Sequence, residues 1–413
     1  MDTTTQQRKT PIPQDEKLPQ IAQILDADAM ASFLARSLDR DESLDRVQIR
    51  YLRYRHGKNL VVHYEVEIDG VGRHAVSITS SKYDLSGEPA KPEHRGRARL
   101  VEGRSPAADP FTYAPELRAL IYWLPFDPDL PALSEPPRSL RRRLEREGVE
   151  LVSADGEPLL LQYRPRRRAT LRLDSHVVKI YRYEADFDEG VRGLHASADV
   201  ASVRTARCEA VVPEWKLTVQ ELLPGTPPER RAEAARDAGV VLAGLHASDL
   251  RSLPPLLPAD RLKAVAESVK LVSAVAPTLA TRAQLLLGRL ESESPDGDLL
   301  VPSHGDYHGG QLLELAEGGY ALIDFDLLGV AAPALDVANY AGHLVAQEGF
   351  DVTAAATILD ALVEGYGSRP AGLSWYLSAA ILRSARGPFK RFEQNWPERI
   401  ETTVGAAEAA LRL

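Results

Sequence analysis

Cysteine is nearly absent from this chain of 413 residues, since Cys208 is the only one. A single thiol cannot form a disulfide within the chain, and no cluster of cysteines and histidines at zinc spacing accompanies it. Long apolar runs are missing as well: no segment approaches about eighteen uninterrupted apolar residues, and the polar N-terminus lacks a signal-peptide core. We therefore expect a cytoplasmic protein that does not insert into a membrane.

A basic excess is also missing, because 50 lysines and arginines face 59 aspartates and glutamates, for a formal net charge of -9. Proteins that bind nucleic acids or anionic membranes usually carry a positive excess that neutralises phosphates. We therefore expect no nucleic-acid partner. The hydrophobic share of 44% and the charged share of 26% are typical of globular proteins, and the length favours two or three structural units.

Two β-rich blocks are present in the first half of the chain. Residues 47–79 predict a meander of about three strands with a turn at residues 56–59, and residues 158–183 predict three more strands broken at residues 164–168. Each block places Tyr-Arg and a basic turn before a strand, but one match at irregular spacing does not establish a repeat. We interpret the similarity as convergent hairpin chemistry.

The other segments predict a coarse order of elements. The first 20 residues predict a flexible tail, and residues 21–39 carry apolar side chains at helical spacing. Residues 84–110 are rich in glycine, proline and charge and predict a loop, whereas residues 114–122 predict a helix. Helices dominate after residue 225.

A polar stretch, HGDYHGGQ, begins at residue 304 and runs into a predicted hairpin, QLLEL and YALID. A four-residue loop places Gln311 opposite Asp324, and opposed residues have Cβ atoms about 4.5–5.5 Å apart. An amide oxygen and a carboxylate so placed can share one Mg²⁺, a hard cation that prefers oxygen ligands. Asp306 lies just before the hairpin and supplies a base or an orienting carboxylate near a metal-bound phosphate, as phosphoryl transfer requires.

The two motifs HGDYHGGQ and LIDFD resemble the catalytic and metal-binding loops of the aminoglycoside phosphotransferase and choline kinase group, small-molecule relatives of the protein kinases. The resemblance implies that Asp306 is the catalytic base and Asp324 the main metal ligand. It also implies that Gln311 takes the position of the usual asparagine. Glutamine there, with His308 and Gly310 before it, is similar to the maltokinase branch.

The upstream sequence resembles the nucleotide site of the same group. Lys179 lies inside the strand VVKIY, where an ammonium reaches the α- and β-phosphates of ATP. The stretch LTVQELLPG resembles the strand and hinge that hold adenine. This likeness implies base contacts from backbone groups of Glu221, Leu222 and Leu223.

The sequence departs from the pattern of that group in two features. No glycine-rich loop precedes Lys179, and the arginines of residues 164–168 stand there instead, either over the phosphates or in a solvated turn. The acidic partner of Lys179 is not obvious. Glu189 is preferred because it lies on the following predicted helix, with Glu184 and Asp199 as alternatives.

Other polar residues near the motif have open roles. His304 favours a bracing role through hydrogen bonds, and His308 is open between a structural contact and acceptor binding. Neither histidine predicts a zinc site, because no third ligand recurs at zinc spacing. Asp326 is either a ligand of a second metal or a turn former.

The sequence and the resemblance together predict an α+β, protein kinase-like two-lobed fold with an added N-terminal α/β cap region. The predicted cap covers residues 21–150, the N-lobe residues 151–224, and the helical C-lobe residues 225–413. The implied reaction is ATP- and Mg²⁺-dependent transfer of the γ-phosphoryl group to a hydroxyl of a small polar acceptor, a sugar or aminosugar by analogy with maltokinases. An aminoglycoside or natural-product acceptor is one alternative, and a catalytically weak nucleotide-binding regulator is another. The sequence indicates no oligomeric state.

Overall fold

Two five-stranded antiparallel sheets occupy the first half of the chain, and helices occupy most of the second. The computed structural model describes residues 10–38, 43–152, 157–229, 232–250, 252–295, 299–349 and 352–413. The architecture confirms the predicted α+β, two-lobed kinase-like fold. None of the helices in the described ranges is both long and apolar enough to cross a membrane.

The first sheet lies in the region predicted as the cap. The elements of this region are α1 (Ile21–Ile24), α2 (Ala27–Ala35), β1 (Leu44–Arg55), β2 (Asn59–Ile68), β3 (Val71–Ser80), α3 (Pro92–Leu100), β4 (Phe111–Ala114), β5 (Ala119–Trp123) and α4 (Pro137–Arg146). The strand order is β1-β2-β3-β5-β4. The predicted meander is present, and its first turn contains Gly57 at a φ of 64°, which glycine adopts without steric cost.

Two secondary-structure predictions for this region are wrong. Residues 114–122 form a short turn and strand β5 rather than a helix. Every residue of Ala119–Trp123 is buried, so the segment lacks the polar alternation that marks a half-exposed strand. The predicted loop over residues 84–110 contains the helix α3.

The predicted flexible tail is shorter than expected. Residues 1–9 lie outside the described residues, but residues 10–20 pack against the first sheet. The buried carboxylate of Asp15 accepts hydrogen bonds from the Tyr54 hydroxyl and the Gly57 amide, both at 2.7 Å. Leu18 is fully buried, so its apolar contacts help to hold this segment in place.

The second sheet belongs to the region predicted as the N-lobe. Its elements are β6 (Leu159–Arg164), β7 (Arg168–Leu173), β8 (His176–Tyr181), α5 (Glu184–Ser197), β9 (Arg204–Thr205), β10 (Cys208–Val212) and β11 (Leu217–Glu221). Five of the strands form a sheet in the order β10-β11-β8-β7-β6, while β9 pairs elsewhere. The three strands predicted over residues 158–183 are β6, β7 and β8.

Helices and short strands make up the remainder. They are α6 (Ala232–His246), α7 (Pro258–Val275), α8 (Ala280–Ser292), β12 (Val301–Ser303), β13 (Leu312–Glu314), β14 (Tyr320–Leu322), β15 (Gly329–Ala331), α9 (Ala334–His343), α10 (Val352–Tyr366), α11 (Leu373–Ser384), α12 (Gly387–Lys390) and α13 (Trp396–Ala410). The strand β14 pairs with β13 and also with β9 of the N-lobe region. This pairing anchors the hairpin of the predicted metal ligands to both lobes.

The two large sheets share one hydrophobic core. Its members include Val61, Val76, Ile78 and Leu120 from the first sheet and Leu171, Val178, Ile180 and Val219 from the second. Burial of each large apolar side chain stabilises the fold by about 1.5–3 kcal/mol.

A polar cluster lies at the edge of this core. The hydroxyls of Tyr122 and Tyr163 lie 3.0 Å apart, and the buried Asp127 carboxylate accepts a hydrogen bond from each of them. Because the sheets share this core, the division between cap and N-lobe near residue 150 stays a prediction.

Candidate active site

The loop that follows β12 is built around the buried carboxylate of Asp336. Asp336 lies on α9 and accepts hydrogen bonds from the backbone amides of His304 at 2.7 Å and Gly305 at 2.9 Å. The side-chain amide of Asn339, on the same helix, donates to the Gly305 carbonyl at 2.9 Å. Gly305 has a φ of 82°, and a Cβ there would overlap a neighbouring backbone carbonyl. The backbone leading into Asp306 is therefore held at several points.

The two histidines of the motif are engaged in contacts. The Nε2 of His304 contacts the Ile323 carbonyl at 2.9 Å, and its Nδ1 accepts from the Asp306 amide at 3.4 Å, which assigns the ring proton to Nε2. His308 accepts from an amide two residues later and stacks on His343, with ring centroids 4.1 Å apart. His304 thus ties the loop to the end of the following hairpin.

Asp306 presents its carboxylate at the surface of this loop. The side chain is 41% exposed, and one oxygen lies 3.5 Å from the guanidinium of Arg383 on α11. Burial alone would raise the pKa of Asp306, but the charges of Arg383, His308 and His304 hold it below its usual range. The carboxylate is therefore ionised at neutral pH and able to accept a hydrogen bond from a hydroxyl.

The hairpin of β13 and β14 has a register one residue away from the predicted one. The Leu315 amide donates to the Gly319 carbonyl, which closes a loop of three residues rather than four. The Ile323 amide donates to the Gln311 carbonyl at 2.9 Å, so the predicted opposition of Gln311 and Asp324 is wrong. The loop closes early because its last residue is a glycine at a φ of 90°.

Asp324 nevertheless contacts Gln311, through a backbone turn instead of strand register. Asp324 follows β14 with a φ of 65°, a left-handed conformation that is uncommon outside glycine, asparagine and aspartate. The side-chain amide nitrogen of Gln311 lies 3.4 Å from Asp324 Oδ2. A left-handed residue of this kind often lies in a functional site, because the surrounding structure must hold it there.

Lys179 connects the N-lobe sheet to this turn. Its neighbours Val178 and Ile180 face the core between the two sheets, so Lys179 points to the opposite face. The Lys179 ammonium lies 2.6 Å from a carboxylate oxygen of Asp324 and 2.6 Å from one of Asp326. Burial alone would lower the pKa of Lys179, but the charges of the two carboxylates raise it above its usual range.

Arg168 and Tyr181 complete the cluster around Asp326. The Arg168 guanidinium lies 2.6 Å from an oxygen of Asp326 and 4.0 Å from one of Asp324, and the Tyr181 hydroxyl donates to Asp326 at 3.2 Å. Burial alone would raise the pKa of Asp324, but the charges of Lys179 and Arg168 hold it well below its usual range. Two cations and two carboxylates are thus in direct contact.

The acidic partners of Lys179 differ from the predicted one. Glu189 is exposed on α5, and no ion pair joins it to Lys179 in the described part of the chain. Asp324 and Asp326 are far from Lys179 in sequence, so no local pattern indicates their contact with it. The helix α5 instead supports the turn after β14: a Cβ on Gly193 would overlap the carbonyl of the residue that follows Asp324.

The predicted hinge is only partly free to contact a base. The Glu221 amide donates to the Arg207 carbonyl at 3.0 Å, and the Leu222 amide donates to the Ser175 carbonyl at 2.8 Å. These two N–H groups are already used within the protein. Over the described ranges no backbone bond uses the Leu223 amide, which leaves that N–H as the donor for a bound base.

The oxygen ligands around Asp324 suit a hard divalent cation. Magnesium is usually held by one or two carboxylates together with phosphate oxygens and water, and Asp324, Asp326 and the Gln311 amide oxygen provide such a set. The Lys179 ammonium already lies between the two carboxylates, which shows that the position favours positive charge. Among the described residues no group of three or more His, Cys, Asp or Glu side chains could hold a metal ion, so the ligands available here are two carboxylates and one amide.

Sequence reasoning missed Arg383 and did not distinguish Arg168 from the neighbouring arginines that were considered over the phosphates. Arg168 is one of several arginines in the turn at residues 164–168, and only its contact with Asp326 distinguishes it. Arg383 lies on a helix of ordinary composition, and no sequence signal connects it with Asp306.

Comparison with known proteins identifies the site region. The model of the phosphotransferase enzyme family matches residues 170–376, which is half of the chain and includes Lys179, Asp306, Gln311 and Asp324. No curated protein matches the chain. The first sheet lies outside the matched residues.

Solved structures with related folds have low sequence identity to this chain. A choline/ethanolamine kinase family protein from Mesorhizobium loti is 13% identical, with a TM-score of 0.47 over 66% of this chain and 95% of that chain. A macrolide 2′-phosphotransferase from Brachybacterium faecium is 22% identical, with a TM-score of 0.42 over 65% of this chain and 97% of that chain. Because both TM-scores lie below 0.5, these two likenesses carry no argument about the activity of this chain.

Proposed function

This chain belongs to the phosphotransferase enzyme family, and from that premise we propose that it is an ATP- and Mg²⁺-dependent kinase that transfers the γ-phosphoryl group to a hydroxyl of a small polar acceptor. One observation carries the proposal. The Lys179 ammonium of the N-lobe sheet contacts Asp324 at 2.6 Å, beside Gln311 and on the same side of the protein as Asp306. Phosphoryl transfer relies on such positioning and charge stabilisation more than on covalent chemistry.

Each residue of the cluster has a task in the proposed reaction. Asp306 accepts a hydrogen bond from the acceptor hydroxyl and orients its oxygen. Its lowered pKa makes it a weak base, so it takes the proton as the phosphoryl group is transferred. Lys179 and Arg168 hold the phosphates, and Gln311 and Asp324 hold the metal. Magnesium, when bound, neutralises charge on the β- and γ-phosphates.

The finer assignments rest on the motif alone. HGDYHGGQ is similar to the maltokinase branch, so a sugar or aminosugar hydroxyl is the first acceptor to test, in a cytoplasmic setting. Residues 21–150 then form a cap, residues 151–224 the N-lobe and residues 225–413 the C-lobe. An aminoglycoside or natural product is the alternative acceptor. A nucleotide-binding regulator without turnover is the alternative of another class.

The direct test is Mg²⁺-dependent ADP release with a panel of sugars, aminosugars and aminoglycosides. We expect at least one acceptor to raise ADP release, and Asp306→Ala to lower that turnover by about 10²–10⁴-fold, as expected for loss of a general base. The matched control is Asp360→Ala, which removes an exposed C-lobe carboxylate far from the cluster. ATP binding without turnover for any acceptor would favour the regulator.

A further inference from the structure

The charged side chains around Asp306 form two groups that differ in the ratio of cations to carboxylates. Towards the N-lobe, the two cations of the Lys179 cluster contact two carboxylates. Towards α11 and α12, Asp306 pairs with Arg383, and the basic residues beyond Arg383 have no such carboxylate contact in the described ranges. The second group therefore carries a positive excess next to the proposed catalytic carboxylate.

Basic side chains from three parts of the fold meet on this second side. We call them the basic wall: Arg383, Arg386 and Lys390 of the C-lobe, Arg164 and Arg167 of the β6–β7 turn, and Arg53 of β1. Lys390 connects the C-lobe to the first sheet, because its ammonium lies 4.9 Å from the centroid of the Tyr51 ring. The wall thus starts at Asp306 and extends to the first sheet.

In the described part of the chain the basic wall has little counter-charge: Asp306 pairs with Arg383, and Glu267 acts on Arg386 without forming an ion pair. Among the residues that the structure describes, no carboxylate forms an ion pair with Arg53, Arg386 or Lys390. The Nε atoms of Arg383 and Arg167 are buried and have no hydrogen-bond partner there. Arginine donors are rarely left unused in this way, because an unpaired buried polar group costs about 1–3 kcal/mol.

Like charges reinforce one another along the wall. Burial lowers the pKa of Arg386, and the charges of Arg383 and Arg167 lower it further. Burial also lowers the pKa of Arg53, and Arg167 adds to that effect. Partial burial of cations beside other cations costs free energy, because the cations lose hydration and repel one another. A bound anion between them offsets this cost.

Two simpler explanations fit these contacts less well. A solvated basic surface would be exposed, but all members of the wall except Arg164 are at least half-buried. The phosphates of ATP would be drawn to Lys179 and Arg168, which contact Asp324 and Asp326 rather than Asp306. Arg53 and Arg167 also line a cavity of about 550 Å³ between the first sheet and the N-lobe, so these two members of the wall are open to a ligand.

Resting on the proposed function, we propose that the acceptor carries a negatively charged group on the same molecule as its reacting hydroxyl, and that Arg386 and Lys390 hold this group. The class is an anionic alcohol, such as a sugar phosphate or a sugar acid. Arginine binds phosphate and carboxylate through paired hydrogen bonds, and lysine adds a point charge. Cationic acceptors such as aminoglycosides are repelled by the same wall.

The test compares acceptors that share one sugar ring and carry a neutral, cationic or anionic substituent. Glucose, glucosamine, glucuronic acid and glucose 6-phosphate, and the same sets built on mannose and ribose, are assayed for Mg²⁺-dependent ADP release. We expect an acidic or phosphorylated member to exceed its neutral and amino relatives by at least about tenfold in kcat/KM. The phosphate and carboxylate arms then distinguish the two sources of negative charge.

The variants Arg386→Gln and Lys390→Gln test the residues. Each should raise the acceptor KM by about 10- to 100-fold and leave the KM for ATP unchanged, because the loss of one charged hydrogen bond costs about 1.5–3 kcal/mol. Arg369→Gln, an exposed C-lobe arginine, is the matched control. A second measurement needs no variant: raising the salt from about 0.05 to 0.5 M should raise the acceptor KM of the wild type.

The outcomes separate the two proposals. Preference for a neutral or amino member, or a variant that changes the KM for ATP instead of the acceptor KM, overturns the anionic acceptor and leaves the kinase proposal standing. Absence of ADP release above the Asp306→Ala background for every member, and for the aminoglycosides of the first panel, overturns both.

Discussion

The first sheet and the N-lobe sheet have the same topology but different chemistry. The first runs β1-β2-β3-β5-β4, and the second runs β6-β7-β8-β11-β10, with a helix after the third strand in each. In both sheets a short turn precedes the strand that comes last in the chain, β5 or β11. Each turn begins with Pro-Glu and ends in a basic residue with left-handed backbone, Arg118 at a φ of 45° and Lys216 at a φ of 46°. The similarity of the two blocks therefore extends well beyond convergent hairpins.

The difference lies at one register position of the third strand. In the N-lobe, Lys179 pairs with Thr218, the second residue of the last strand, and its ammonium reaches Asp324. In the first sheet the corresponding residue is Ile78, which pairs with Leu120 and is buried in the core between the sheets. The same strand order therefore carries a lysine in contact with a carboxylate in one sheet and a core isoleucine in the other.

The largest effect on turnover is expected when Lys179 of the N-lobe sheet is replaced by isoleucine, the residue at the corresponding position of the first sheet. Lys179→Ile removes the ammonium from the phosphates and leaves Asp324 and Asp326 with one cation, Arg168, in place of two. Turnover should fall by about 10²–10³-fold, as it does when one preorganised electrostatic contact is lost. Steady-state kcat/KM for ATP is the measurement.

The control for that change lies at the corresponding position of the first sheet. Ile78→Val should cost about 0.5–1.5 kcal/mol of stability and leave turnover within about twofold, because it removes one methylene from the core. A comparable loss of turnover in both variants would contradict the distinction between the two sheets.

The next prediction compares α5 and α3, the helices that follow the third strand of each sheet. Gly193 of α5 packs so closely on the turn after Asp324 that Gly193→Ala should cost about 1–3 kcal/mol and lower turnover by displacing that carboxylate. Gly96 of α3 has no atom near its Cβ position, so Gly96→Ala should stabilise the protein by about 0.5–1 kcal/mol. Urea unfolding and turnover measurements on both variants test this prediction. If both substitutions destabilise the protein, α3 packs as tightly as α5.

The smallest effect concerns the contact between the two sheets. Burial raises the pKa of Asp127, although hydrogen bonds from Tyr163 and two amides oppose the shift. A carboxyl with a raised folded-state pKa contributes stability below its unfolded pKa of 3.8 and loses that contribution as pH rises through the folded value. The free energy of unfolding of the wild type relative to Asp127→Asn should therefore fall as pH rises from about 4 towards neutrality.

The control for this pH effect has the opposite sign. Asp84 is exposed in the first region, and hydrogen bonds from Ser86 lower its pKa. The wild type relative to Asp84→Asn should therefore gain stability as pH rises through the lowered value. Urea midpoints from below pH 3.8 to neutrality measure both variants, and equal slopes would rule out a raised pKa at Asp127.

The order of the site residues along the chain was predictable, and their contacts were predictable only in part. Lys179, Asp306, Gln311 and Asp324 lie in local motifs, and local motifs are visible in a sequence. The hairpin register was wrong by one residue, because loop length depends on the φ of a single glycine. Glu189 was the wrong partner, because the true contacts of Lys179 span most of the kinase-like fold.

The sequence by itself determined the motifs that contain Lys179, Asp306, Gln311 and Asp324 and the coarse order of the elements around them, because hydrophobic pattern and motif spacing are local properties. Only the tertiary structure decided which charges meet. Asp326 and Arg168 join the Lys179 cluster, and Arg383 reaches Asp306, because separate helices and sheets pack around shared cores. Electrostatic balance depends on distances between remote residues, so the excess of positive charge beside Asp306 has no signature in the chain order.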